Sequence, residues 1–246
     1  MPETAAIVTG HTRGLGEAIA AELLIRRVRV LGIARHRHQE LGAAHADRLQ
    51  QVQLDLADSD ATSTWLASDA LRRFLEGSET ALLVNNAGLL QPIGPLQTQD
   101  ASAVARAITV NVAAPLVLSA AFVAATARTR DRRILHISSG AGSSAYAGWS
   151  VYCASKAALD HHARAVALDR TPGLRIASIA PGVIDTDMQA EIRATSDDRF
   201  PDRHRFEALK RDGKLRLPDD AARELVDALL APDFGEEPVA DLRRSR

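Results

Sequence analysis

The residue types best suited to acid–base chemistry in this 246-residue chain sit in Tyr152-Cys153-Ala154-Ser155-Lys156. Beyond them, Ala157, Ala158, Leu159, Ala163, Val166, Ala167 and Leu168 recur with a helical period. Tyr152 and Lys156 are four apart, so a helix stands them one above the other on the same side. A free phenol titrates at about 10 and is a poor acid–base group at neutral pH. A neighbouring ammonium favours the phenolate and draws the phenol toward working pH. An isolated Tyr-x-x-x-Lys is ordinarily a surface tyrosine beside a solvated lysine, so the pair needs support from the rest of the chain. Cys153 has no base partner that would make it a nucleophile, and it reads as a small packing residue.

A second constellation lies near the N-terminus, Thr9-Gly10-His11-Thr12-Arg13-Gly14-Leu15-Gly16, between an apolar run and a helical pattern. Glycines there let backbone turn sharply and approach a pyrophosphate, whose charge suits a helix N-terminus. The spacing is G-x-x-x-G-x-G, not the common G-x-G-x-x-G fingerprint. The next strand pattern ends in Ala34-Arg35-His36-Arg37-His38. An NAD-preferring site places an acidic residue at that point to hold the ribose hydroxyls. Arg35 there, with Arg13 in the glycine loop, offers two guanidiniums to one phosphate and favours NADP. A solvated basic turn is the duller reading of either arginine alone. His36 and His38 lack nearby carboxylate or thiolate ligands, so no metal site is expected.

The scaffold needed to bring these pieces together is legible in outline. Nearly half the chain is apolar, aromatics are scarce, and the formal net charge is −1, which argues against a nucleic-acid binder. Strand patterns at Ala5–Val8, Val28–Ala34, Val52–Leu54, Ala81–Val84, Arg133–Ile137 and Arg175–Ile179 alternate with helical ones at 15–27, 63–75, 100–127 and from Tyr152 onward. That alternation predicts an α/β fold: one doubly wound (Rossmann) parallel sheet, helices on both faces, a single domain over 1–246. Ligands of such sheets bind at the strands' carboxyl ends. The polar residues fall there: Thr9-Gly10, Arg35, Asp55, Asn85-Asn86-Ala87-Gly88, Ser138-Ser139-Gly140 and Pro181-Gly182. The apolar run from Ala113 to Ala127 is interrupted by Pro115 and Ser119 and reads as a buried helix, too short to span a bilayer. One cysteine and no room for a signal peptide predict a cytoplasmic protein without a membrane partner.

With Thr9-Gly10-x-x-x-Gly14-x-Gly16, Asn85-Asn86-Ala87-Gly88, Asn111, Ser139, Tyr152-x-x-x-Lys156 and Pro181-Gly182-x-x-x-Thr186 in order, the chain resembles the short-chain dehydrogenase/reductase family over nearly its full length. The resemblance implies that Tyr152 exchanges a proton with the substrate oxygen and Ser139 holds that oxygen. Lys156 would lower the tyrosine pKa and meet the nicotinamide ribose, and Asn111 would anchor a water beyond it. Ser139 is preferred to Ser138 because it precedes Tyr152 by the family's usual thirteen residues. The implied cofactor wall is Gly10, Thr12, Arg13, Gly14, Leu15 and Gly16, then Arg35, Asp55 and Leu56. It continues through Asn86, Ala87 and Gly88, and through Pro181, Gly182, Val183, Ile184 and Thr186, with Tyr152 and Lys156 at the reacting end. Within it Asp55 would contact the adenine, Asn86 would brace the sheet and Thr186 would meet the carboxamide. Singly, Asn111, Ser139 and Asp55 are as well explained by backbone capping.

Specificity is expected from Leu89–Gln97, Gly140–Val151 and the stretch after Pro181, where residues 187–216 read as a lid of short helices. Pro181 to Gln189, with Gly148-Trp149-Ser150-Val151-Tyr152-Cys153, resembles the branch of sepiapterin reductases and bacterial benzil reductases. That implies an NADPH-dependent reductase of one carbonyl in a vicinal dicarbonyl, with Trp149, Met188 and Leu90 lining the pocket. An NAD-linked alcohol or sugar dehydrogenase, a 3-oxoacyl-thioester reductase and a non-catalytic NADP-binding sensor are the alternatives. The apolar helices at 113–127 and 157–168 suggest a homodimer or homotetramer.

Overall fold

A computed structural model describes residues 3–243. In chain order the elements are β1 (Thr4–Thr9), α1 (Gly14–Ile25), β2 (Arg29–Ala34), α2 (Gln39–Ala44), β3 (Leu49–Gln53), α3 (Ser59–Ala67), α4 (Ala70–Leu75) and β4 (Thr80–Asn85). There follow α5 (Ala101–Ile108), α6 (Ala114–Ala125), β5 (Asp131–Ile137), α7 (Ser150–Leu168), β6 (Leu174–Ala180), α8 (Asp187–Ala194), α9 (Arg203–Arg211), α10 (Pro218–Leu230) and β7 (Val239–Asp241). The strands form one sheet in the order β3-β2-β1-β4-β5-β6-β7, and every adjacent pair is parallel. The order reverses beside β1, which opens a crevice at the carboxyl ends of β1 and β4.

Strand alternation explains the two core layers. Ala6 and Val8 face α1 and α10, where Ile19, Leu23, Leu225 and Leu229 cover them. Ala5 and Ile7 face the other way, toward Leu71 and Phe74 of α4 and Leu118 and Phe122 of α6. A third cluster lies outside both layers, over the carboxyl ends, and joins Leu90, Ile93, Trp149, Tyr152, Ile192, Phe200 and Phe206.

Some local detail differs from the sequence expectation. The predicted helix over 63–75 is two, α3 and α4, because Ser68 takes an extended backbone and its hydroxyl both donates to Trp65 O and accepts from Ala70 N. Helices α2 and α10 were not anticipated. The helix over 100–127 is one run from α5 to α6, joined by a π turn at Thr109–Ala113. By length and composition the run Ala101–Ala125 is sufficient to cross a bilayer, contrary to the expectation from its apolar half alone. In the fold its α6 part is a core helix, with Leu118 and Phe122 at most 1% exposed.

Candidate active site

A cavity of about 770 Å³ runs across the carboxyl edge of the sheet, from the glycine loop to the C-terminal segment. All nineteen residues expected in the cofactor wall, Tyr152 and Lys156 among them, line it, and so does Ser139. Asn111 stands behind the lining, buried, in the π turn.

The end formed by β1, β2 and α1 is mainly backbone. Gly14 has a φ of +56°, a conformation that costs other residues energy. A Cβ on Gly16 would fall 2.1 Å from Gly10 O and 2.3 Å from Asn86 Nδ2, so only glycine fits. Asn86 Nδ2 donates to Thr9 O (2.9 Å), and Thr9 Oγ1 accepts from the amides of Asn86 and Ala87 (3.0 Å each), stitching β1 to β4. Arg13 opens α1 without a side-chain cap, leaving the first helical N–H groups facing the cavity. Its guanidinium is paired with Asp187 (3.3 Å), both well exposed, while Arg35 lies at the end of β2. The two arginines therefore share one cavity; Arg13 is ion-paired with Asp187, whereas Arg35 makes no ion pair among the described residues and acts on Asp55 at longer range. Asp55 accepts from Ala57 N (3.0 Å) and Arg106 (2.9 Å); burial opposes ionisation, but these partners hold its carboxyl below the usual range.

At the centre, α7 sets Tyr152 and Lys156 on the face turned to the sheet, both buried. Ser139 ends β5 and caps a 3-10 turn by accepting from Ala141 N (3.2 Å). Its hydroxyl lies near enough to the Tyr152 phenol to favour that phenol's ionised form. Ser138, the rival serine, instead donates to Asp160 Oδ1 (2.6 Å), as does Ser178 (2.7 Å). Lys156 Nζ donates to Ile137 O (2.7 Å) and sits 5.6 Å from the Tyr152 ring centre. Burial moves the lysine down to about 8, against the opposing pull of Asp160. Burial likewise pushes the Tyr152 phenol up to about 12, although Ser139 pulls the other way. The expected drawing-down of the phenol by Lys156 has no part in this balance, and desolvation sets its direction.

Asn111 clamps the Leu89 peptide, accepting from its N–H and donating to its O, both at 2.7 Å, and also reaches Ser155 Oγ (3.2 Å). The side chain is therefore engaged in bracing the β4 loop. A Cβ on Gly88 would lie 3.5 Å from Asn111 Oδ1 and 3.8 Å from Lys156 Nζ, so the asparagine, the lysine and this glycine meet at one spot.

The opposite end is made of side chains. Trp149 stacks on Phe200 (4.4 Å between centroids, 11° between planes), and Tyr146 and Phe206 lie against the indole at 5.2 and 5.3 Å. Phe200 comes from the segment read as a lid and is fully buried. Beside it Arg199 Nε donates to Ile93 O (3.0 Å), fastening that segment to the loop after β4. The three specificity segments predicted from sequence do meet here. Leu90, Trp149 and Met188 were named for this lining or its packing; Tyr146, Arg205, Phe206 and Leu209 fall inside the predicted segments without being assigned to the pocket, and Arg243 lies outside them. Nothing in local periodicity marks those five, because each reaches the cavity only through long-range packing.

The family model described as short chain dehydrogenase matches residues 4–197. A benzil reductase ((S)-benzoin forming) of Bacillus cereus is 33% identical, over 95% of this chain and 96% of that protein. A sepiapterin reductase of Meriones unguiculatus is 30% identical, over 93% of this chain and 92% of that protein. Among solved structures, a short-chain dehydrogenase/reductase of Burkholderia vietnamiensis is 50% identical and superposes with a TM-score of 0.72, covering 100% of this chain and 99% of its own.

Proposed function

The chain belongs to the short-chain dehydrogenase/reductase family of oxidoreductases, which act on CH–OH and C=O groups, and on that premise we propose that it is an NADPH-dependent carbonyl reductase of vicinal dicarbonyl compounds. The observation that carries the reading is the convergence of Ser139, Tyr152 and Lys156 between a glycine cradle and an aromatic pocket in one continuous cavity. The benzil and sepiapterin reductases found among the relatives support the carbonyl class.

The residues at the first end fit a dinucleotide. Gly10 and Gly16 let the turn pack tightly on Asn86, Gly14 takes the positive φ the turn needs, and the uncapped start of α1 favours a pyrophosphate's charge. Arg35 suits a ribose 2′-phosphate: Asp55 is near enough to feel its charge but is hydrogen-bonded to Arg106, so the Arg35 guanidinium keeps its donors for an anion. When bound, the nicotinamide supplies the hydride. Ser139 holds the substrate oxygen and Tyr152 gives it a proton. A phenol near 12 stays protonated through the neutral range, which suits reduction, while the reverse oxidation needs the phenolate and gains as pH rises. Lys156 fixes the floor of the site through Ile137 O; its charge, largely present below about pH 8, stabilises the phenolate left after proton transfer. Asn111 holds the Leu89 peptide, and with it the Gly88 approach to Lys156.

We read the enzyme as cytoplasmic and homo-oligomeric; exposed Ile108, Val117 and Leu168 on α5, α6 and α7 support a partner on that side. The test is cofactor oxidation with a panel of diketones, pteridines, sugar ketones and acyl-thioester ketones, run with NADPH and NADH. Turnover of aromatic diketones with NADPH preferred is expected. Preference for NADH with sugar alcohols would replace this reading with the dehydrogenase alternative.

A further inference from the structure

Two arginines stand at the substrate end that reduction of a neutral diketone does not call for. Arg243 follows β7, and its Nε and Nη2 are held by the Asp241 carboxylate (2.9 Å from Nε to Oδ1). That pairing aims the guanidinium. Its Nη2 lies 3.2 Å from where a Cβ on Gly140 would be, beside Ser139, and its stem passes 3.6 Å from the same point on Gly182. Arg205 projects from α9 over the Tyr146 ring, 5.8 Å from Cζ to the centroid. It has no carboxylate within ion-pair distance among the described residues. Both side chains line the cavity.

The cavity's own acids do not offset them. Asp55 is engaged by Arg106, Asp185 by Lys210 and Asp187 by Arg13. The wall near Tyr146 therefore carries an unneutralised positive charge next to apolar surface from Trp149, Phe206 and Leu209. Apolar walls thin the solvent that would otherwise screen such a charge. A guanidinium held by one carboxylate still offers its remaining N–H groups, in the planar fork that matches a second carboxylate.

We propose that this end of the cavity selects ketones bearing a carboxylate beside the reacting carbonyl, aromatic 2-oxo acids, with Arg243 and Arg205 as the residues that recognise the anion. The inference deepens the carbonyl-reductase reading and rests on it. Placement of Arg243 against Gly140 puts the anion next to the carbonyl that Ser139 would hold. The aromatic cluster takes the ring. A substrate with a cationic group in this position is disfavoured by the same charges.

The test compares benzoylformate with its methyl ester, which differ in charge and little in shape. Calorimetry on the NADP⁺ complex is expected to show the acid bound at least about tenfold more tightly than the ester, the usual scale of one charge-assisted hydrogen bond. Arg205→Met and Arg243→Met should each remove about tenfold of the acid's affinity and much less of the ester's. Equal binding of the two by the wild type, or equal losses for both in the variants, would overturn the proposal. Turnover with NADPH separates the two readings. If the ester and neutral diketones are reduced while the acid gains nothing from the arginines, the anion site falls and the reductase stands. If the acid binds through the arginines and no ketone is reduced, the anion site stands and the reductase falls.

Discussion

At the cofactor end of the cavity the wall is backbone, held by Gly10, Gly14 and Gly16 and by the Asn86–Thr9 stitch. At the substrate end it is side chain: Tyr146, Trp149 and Phe206 pack edge and face under the buried Phe200. The first surface is made by segments that end adjacent strands. The second is made by the 140–151 loop and by residues 199–206, about fifty positions later, which meet where Phe200 and Phe206 pack on Trp149. A surface of backbone tolerates almost no addition but needs little support. A surface of packed rings depends on every ring. On the proposed reading, the difference teaches that cofactor binding and substrate choice should change separately.

Tyr152 belongs to both ends, so its removal should have the largest effect. Tyr152→Phe is expected to lower kcat by about a thousandfold, the scale of a lost general acid, while NADPH affinity by fluorescence titration stays close to wild type. Near-normal turnover would end the proton-transfer role. Next, Phe200→Ala should cost about 3 kcal/mol of stability through the cavity it leaves, measured by urea unfolding. Ketone KM should rise with it, and NADPH affinity should hold; if cofactor binding falls equally, the two ends are not separate.

Gly16→Ala probes the other side of the comparison. Its new methyl meets Gly10 O and the Asn86 amide, so a destabilisation of about 2 kcal/mol is expected, with loss of cofactor affinity and no change in relative substrate preference. The smallest effect should come from Arg35→Asp, an exposed charge whose reversal weakens NADPH by about tenfold relative to NADH. Unchanged selectivity would move the phosphate contact to Arg13, at the expense of its Asp187 pair.

Sequence alone determined the layered fold and which residues line the glycine end of the cavity, because strand alternation, helical period and the glycine spacing are local signals. Tyr152 and Lys156 were readable for the same reason: four residues on a helix set their relation before any packing. The family spacing already preferred Ser139 to Ser138; the fold supplies the physical reason, turning Ser138 to Asp160 and leaving Ser139 beside Tyr152. Burial, too, is a tertiary property, and it raises the phenol where the Lys156 spacing alone implied a fall. Arg205 and Arg243 carry no local mark at all. They reach Tyr146 because α9 and the chain after β7 fold back over the carboxyl edge, and contact across such separations is set by packing of the whole domain.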